Sequence, residues 1–258
     1  MTNRIDTVFA ALKAQGRAAL VTFITAGDPD VKKSLEVLKS LPAAGADIIE
    51  LGMPFTDPMA DGPTIQASSL RALASGASMQ TTLQMVRDFR TSNTTTPIVL
   101  MGYANPCFQY GFEKFAKDAA AAGADGLIIV DLPPEEDDAL LEYTKPAGLH
   151  LIKLVTPTTT DARLKAILPK ASGFLYYVSI TGITGAASAD IPAVKKHIES
   201  IRKHTDLPVA AGFGIKTPDD VAAFKSAVDA VVVGSAIVEK VSVANDAMEF
   251  VKTLRAAL

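Results

Sequence analysis

The sequence predicts a closed (β/α)8 barrel with one extra helix ahead of the first strand. Three observations predict it. Short apolar segments rich in Val, Ile and Leu recur along 258 residues, with amphipathic segments between them, the alternation of strand and helix. The apolar segments run nearly unbroken, as strands do when a parallel sheet is covered on both faces. The phrase Ala43-Ala44-Gly45-Ala46-Asp47 returns as Ala121-Ala122-Gly123-Ala124-Asp125, each time between a helix and a strand. Eight strand–helix units in about 250 residues favour closure over an open doubly wound sheet. No linker or low-complexity segment divides the chain, so a single TIM-barrel domain over residues 1–258 is expected.

The elements follow in order. Ile5, Val8, Phe9 and Leu12 mark one helical face, giving a leading helix over 3–15 that Gly16 ends. The first strand is 19–24, followed by a turn at 25–29 and a helix over 31–41 with Leu35 and Leu38 inward. The second strand is 47–51, and Gly52, Pro54 and Pro58 break it into a loop. Helices over 64–75 and 78–92 are split at Gly76. The third strand is 97–102, followed by Tyr103-Ala104-Asn105-Pro106 and a helix over 112–122. The fourth strand, 127–130, ends at Asp131-Leu132-Pro133 before a helix over 135–147. The fifth strand is 149–155, with a helix at 162–168. The sixth strand, 174–178, opens a small-residue loop over 179–190 and a helix over 193–204. The seventh strand is 208–211 with a helix at 218–225, and the eighth is 230–233 with a closing helix over 245–257.

Composition narrows the function classes. The chain is 48 % apolar with net charge −3, which gives no preference for nucleic acid or a membrane surface. No apolar run reaches membrane-spanning length, and the start, Met-Thr-Asn-Arg-Ile-Asp, does not read as a secretory signal. The single cysteine, Cys107, excludes an internal disulfide and fits a cytoplasmic location. Three histidines, His150, His197 and His204, show no paired ligand spacing, so no metal site is expected.

In a barrel of this kind chemistry gathers in the loops after the strands. Glu50 stands at the end of the second strand, and its loop carries Asp57 and Asp61. Glu50 is either a structural acid held by a neighbouring cation or a catalytic one; its position favours catalysis, since partial burial raises a carboxyl towards general acid/base range. Asp57 and Asp61 have turn-capping as their plainer reading. Asp131, at the equivalent place after the fourth strand, is a packing or loop-anchoring acid. Gly212-Phe213-Gly214-Ile215 and Gly234-Ser235-Ala236 follow the seventh and eighth strands. They form either tight turns or, as position favours, a backbone cradle for a phosphate. The loop at 179–190 is a candidate lid. Lys153, inside the fifth strand, is a Schiff-base lysine, a partner for one of these carboxylates, or a side chain reaching a barrel end. His150 lies at the other end of that strand and reads as structural; Cys107 reads as a small apolar contact.

These residues carry a resemblance. Residues 50–66, Glu-Leu-Gly-Met-Pro-Phe-Thr-Asp-Pro-Met-Ala-Asp-Gly-Pro-Thr-Ile-Gln, resemble the tryptophan synthase α subunit. So, in the same order along the chain, do Tyr103-Ala-Asn-Pro106, Gly182-Ile-Thr-Gly185, Gly212-Phe-Gly-Ile215 and Gly234-Ser-Ala-Ile-Val238. The resemblance implies a cofactor-free lyase cleaving indole-3-glycerol phosphate to indole and glyceraldehyde 3-phosphate. It also implies a β subunit that receives the indole, in an α2β2 heterotetramer. By the same resemblance Glu50 is the general acid/base, Asp61 holds the indole N–H, and Tyr176 lines the site. Phe23, Met101 and Ile128 fall where that family packs the indole ring, and Gly185, Gly214, Gly234 and Ser235 fall on the phosphate site. Pro54, Asp57, Asn105 and Pro106 lie in loops that dock the β subunit. A hydrogen bond from Thr184 to Asp61 would close the lid. Two departures stand out: Ile180 where many members have arginine, and Lys153 where an apolar residue is common.

Overall fold

The computed structural model describes residues 2–178, 191–212, 214–241 and 244–258. All strands run parallel, in the order β5-β4-β3-β2-β1-β9-β8-β7-β6. The strands are β1 (Ala19–Thr25), β2 (Ile48–Gly52), β3 (Ile98–Gly102), β4 (Gly126–Ile129), β5 (His150–Leu151), β6 (Lys153–Val155), β7 (Leu175–Val178), β8 (Val209–Gly212) and β9 (Ala230–Val233). The two ends of the order, β5 and β6, are halves of the expected fifth strand. The lower half pairs with β4 and the upper half with β7. Between them the Ile152 N–H donates to the Leu127 carbonyl at 2.9 Å. The ring is therefore closed through one stave that meets its two neighbours at different heights, as the stagger of a barrel demands. The fold is the α/β TIM barrel that the sequence predicts.

Successive strand residues face opposite sides, and the core divides accordingly. Val21, Ile48, Val99, Ile128, Ile152, Phe174, Tyr176, Ala210 and Val232 fill the barrel interior. Their neighbours, such as Leu20, Ile49, Leu100, Leu127 and Val231, pack against the surrounding helices. The leading helix α1 (Arg4–Ala14) contributes Ile5, Phe9 and Leu12 to the interior cluster, with Phe9 and Phe174 ring centroids 5.7 Å apart. It plugs the end of the barrel opposite the functional loops. Its cap is Asn3, whose side chain accepts the Ile5 N–H.

The repeated Ala-Gly-Ala-Asp phrase has a physical explanation. Gly45 ends α2 (Val31–Ala44) and Gly123 ends α6 (Phe112–Ala122), both with left-handed backbone, φ 113° and 100°, where glycine is unstrained. The aspartate that follows turns back to clasp the preceding strand. Asp47 accepts the Leu20 N–H and a bidentate pair from Arg17. Asp125 accepts the Ile98 N–H together with Arg4 and Arg90. Asp229, before β9, repeats the arrangement with the Val209 N–H and Arg202. Three carboxylate clasps thus fix strand register at the plugged end.

The helices depart from the sequence reading in three places. Helix α5 (Ala104–Tyr110) follows β3 directly. Asn105-Pro106 reads as a turn, yet Pro106 sits in the first helical turn, where a missing N–H costs nothing. A four-residue helix, α11 (Ser235–Val238), follows β9. The helix expected over 135–147 is shorter, α7 (Asp138–Thr144), because 134–136 form a turn. The remaining helices, α3 (Pro63–Ala74), α4 (Met79–Arg90), α8 (Asp161–Ile167), α9 (Ile191–Ile201), α10 (Pro218–Phe224) and α12 (Ala244–Ala256), lie where the apolar periodicity puts them. No helix among the described residues is long and apolar enough to cross a membrane.

Candidate active site

Glu50 shares the inward face of β2 with Ile48, in register with Phe23 on β1 and Val99 on β3. It is 0 % exposed, and neither carboxyl oxygen has a hydrogen-bond partner among the described residues. Burial without a compensating cation favours the neutral acid and raises its pKa to about 8. Position at the strand end therefore produces a carboxyl that holds its proton near neutral pH yet can release it. Tyr176, inward on β7, is buried nearby, and burial together with the charges of Glu50 and Asp61 raises its hydroxyl well above the ordinary tyrosine value.

Asp61 stands across the mouth on the loop after β2. Its N–H donates to the Pro58 carbonyl and its own carbonyl accepts from Gln66 Nε2, so the turn leading into α3 is tied at both ends. Partial burial raises the Asp61 carboxyl to about 6, against the Tyr103 hydroxyl, which favours the charged form. A pocket at this end of the barrel is lined by Phe23, Gly52, Asp61, Met101, Tyr103 and Val130. Ile128 lies beside it, paired with Met101 across β3 and β4. The arrangement is a largely apolar slot with Asp61 in its lining and the buried acid Glu50 two residues below its Gly52 on β2, suited to moving a proton on an apolar, flat substrate.

Glycines shape the slot. A β-carbon on Gly52 would lie 2.6 Å from Phe23 Cζ, so the phenyl ring needs a glycine beneath it. A β-carbon on Gly212 would overlap the Tyr176 hydroxyl and stand 2.8 Å from Cζ. Gly212 therefore makes room for an aromatic side chain, a role the sequence does not reveal. Gly214 has φ 71° with open space beside it. Gly234 caps α11, its carbonyl accepting the Ile237 and Val238 N–H groups, and Ser235 is the first residue of that helix. Phe213 and the whole of 179–190, including Thr184, Gly185 and Ile180, lie outside the described residues.

Lys153 is not among these groups. It stands between Ile152 and Leu154, both associated with the barrel interior, so alternation sends it outward. There it pairs with Asp137, which is itself 0 % exposed and also meets Lys170 at 3.0 Å. A lysine held by a buried carboxylate outside the barrel wall cannot meet a substrate in the slot, and this removes the Schiff-base reading. The pairing is with Asp137 rather than with any acid of the slot. Asp131 accepts the Ala104 N–H at 2.8 Å, which makes it a loop anchor. Cys107 is buried, and burial pushes its thiol up to about 12, so it is an apolar contact. His150 meets Asp6 at 3.0 Å at the plugged end.

The family model for the tryptophan synthase alpha chain matches residues 9–257. The chain belongs to that family. Among solved structures it is similar to tryptophan synthase subunit alpha from Legionella pneumophila str. Paris, with 40 % identity over 100 % of this chain and 98 % of that one, TM-score 0.93. A protein from Aquifex aeolicus VF5 matches at 37 % identity over 100 % and 99 %, TM-score 0.92. Tryptophan synthase from M. tuberculosis in an aminoacrylate-bound form matches at 33 % identity over 99 % of each chain, TM-score 0.90.

Tyr103 is the slot residue that the sequence reading quotes without a role. The family phrase Tyr103-Ala-Asn-Pro106 contains it, but its part depends on a contact across 43 residues, Ala60 N–H to the Tyr103 hydroxyl at 3.0 Å. An aromatic with a polar tip directly after a barrel strand is the available signal.

Proposed function

We propose that this chain is a lyase that cleaves indole-3-glycerol phosphate to indole and glyceraldehyde 3-phosphate by a retro-aldol step, and passes the indole to a tryptophan synthase β subunit in an α2β2 assembly. The observation that carries the reading is Glu50: a fully buried carboxyl with no hydrogen-bond partner among the described residues, raised to about 8, at the strand end below an apolar slot. The family supports the substrate.

The reaction needs a proton at indole C3 before the carbon–carbon bond can break. Protonated Glu50 supplies it, and the ring nitrogen becomes positive. Asp61, as carboxylate, accepts the ring N–H and balances that charge. The Glu50 carboxylate then takes the proton of the glycerol hydroxyl next to the ring. The oxygen lone pair forms the aldehyde, the bond to C3 breaks, and its electron pair returns to the ring and neutralises the nitrogen. One acid serves both transfers, so proton and electrons balance without an added redox agent. Phe23, Met101 and Ile128 supply apolar walls for the ring, with Tyr176 beside Glu50. Gly214, Gly234 and Ser235, with Gly185, bind the phosphate through backbone N–H groups at the ends of the seventh and eighth staves. Thr184 closes the sixth loop over Asp61.

The partner reading rests on the same end of the barrel. Pro54 and Asp57 on the second loop and Asn105 and Pro106 on α5 would meet the β subunit, and Phe108 on α5 and Met59 on the loop are 65 % and 80 % exposed. Large apolar side chains left this open fit a surface that another chain covers.

Incubation with indole-3-glycerol phosphate tests the function: indole and glyceraldehyde 3-phosphate should appear in equal amounts, faster with β subunit present. Asp61→Asn should release indole at least a hundredfold more slowly, since a neutral amide does not balance the ring charge. Full activity in that variant would move the role to another acid.

A further inference from the structure

We propose that Tyr103 is a positioning residue that ties the Asp61 carboxylate to helix α5, so that whatever holds α5 at the barrel mouth also sets Asp61. The inference rests on the proposed function and names a route by which a bound partner regulates that site.

Tyr103 is the residue between β3 and α5, and it is 3 % exposed although it lies at a loop end. Its hydroxyl accepts the Ala60 N–H at 3.0 Å and lines the same pocket as the Asp61 carboxyl, whose charged form it favours. One oxygen therefore holds the backbone of the second loop at Ala60 and stands in the same pocket as the functional group next to it. Its ring packs on Phe55 of the same loop, centroids 5.4 Å apart. Directly after it, the Ala104 N–H is held by Asp131 of the fourth loop. The start of α5 is thus pinned between the two loops that flank it. Four residues on, the same short helix presents Phe108, edge-on to Phe112 at 5.8 Å and 65 % exposed. Contact made on Phe108 bears on a helix whose N-cap residue holds the backbone N–H beside Asp61. Among the described residues, Tyr103 is the side chain whose hydroxyl favours the charged form of that carboxyl. A small displacement of α5 consequently changes the orientation and the proton affinity of Asp61, which is a biased two-state device in the sense of a population shift.

Tyr103→Phe tests this, because it keeps the ring on Phe55 and removes only the hydroxyl. The substrate is indole-3-glycerol phosphate and the partner is tryptophan synthase β subunit. The expected kcat/KM is roughly tenfold or more below the parent, the usual effect of losing a polar interaction with a charged group. The acid limb of its pH profile should move to higher pH, because Asp61 loses the hydroxyl that favours its charged form. The other ionisable groups facing this end, Glu50 on β2, Tyr176 on β7 and Asp131 after β4, are the same in both proteins. Stimulation by saturating β subunit should fall towards none. A variant that keeps the parental acid limb and the parental stimulation overturns the proposal, whatever its rate or melting temperature. The link is also readable without deleting anything. In the parent carrying fluorotyrosine, the Tyr103 fluorine resonance should shift as Asp61 titrates and shift again on adding β subunit. A resonance indifferent to both refutes the link. If the parent releases no indole, the proposed function fails, while the pH arm of the fluorine experiment, which needs neither substrate nor partner, still decides the Tyr103–Asp61 link.

Discussion

Glu50→Gln should make the protein inactive and, at neutral and alkaline pH, more stable. The carboxyl is 0 % exposed and its pKa rises from 4.5 to about 8 on folding because burial penalises the charge. Between those values the unfolded chain has released the proton and the native chain still holds it. Stability is therefore complete below pH 4.5, falls as pH rises, and levels off above about 8. The slope for one proton is about 1.4 kcal/mol per pH unit. Glutamine has the same shape and no charge to desolvate, and its amide is no worse satisfied than a protonated carboxyl whose oxygens have no partner among the described residues. The stability gap between variant and parent should thus widen by roughly 4 kcal/mol from pH 5 to pH 8. Urea unfolding of both proteins at half-unit pH steps measures it. Turnover should fall a hundredfold or more in the same variant, because an amide does not shuttle a proton. Parallel stability curves for parent and variant would show that Glu50 is not a buried acid of raised pKa, and the proton-transfer account would lose its basis.

The remaining predictions concern the acids as a pair, the frame and the displaced lysine. The kcat/KM profile of the parent should be a bell, rising as Asp61 ionises near about 6 and falling as Glu50 loses its proton near about 8; a profile flat across that window would contradict the assignment. Asp125→Ala strips the carboxylate from Arg90, whose side chain is 11 % exposed, and from the Ile98 N–H. It should cost roughly 3–5 kcal/mol in denaturant unfolding while leaving the slot chemistry intact in the folded fraction. Lys153→Met should lower stability through Asp137 yet keep indole release, and borohydride with a phosphorylated aldehyde should trap no adduct on Lys153 in the parent; trapping there would revive the Schiff-base mechanism. Gly234→Val places a side chain against Phe23, whose Cβ would be 3.4 Å from the first added carbon. It should raise KM for the phosphorylated substrate far more than it weakens binding of free indole.

The barrel was legible because its signals are local. Unbroken apolar strands, helical periodicity and the glycine that ends α2 and α6 each act within a few residues, and the chain order then dictates closure. Glu50 was legible for the same reason: a carboxylate at a strand end in a parallel barrel has few places to point. What stayed hidden depends on partners far apart in sequence. Period two shows which face Lys153 takes only once the register is fixed, and nothing near it announces Asp137. Tyr103 meets Ala60 and Asp61 across two loops. Gly212 reads as part of a phosphate loop, although the group crowding it is the Tyr176 ring. Helix α5 was masked by Asn105-Pro106, since a proline that breaks a helix interior is harmless in a first turn.

The central claim is that one buried acid, Glu50, drives cleavage of indole-3-glycerol phosphate in this barrel. The most direct measurement is indole release at pH 7 by the parent and by Glu50→Gln side by side, each with saturating β subunit and each shown to be folded. The account predicts indole from the parent, equimolar with glyceraldehyde 3-phosphate, and at least a hundredfold less from the variant. No indole from the parent, or comparable release from both proteins, would contradict it.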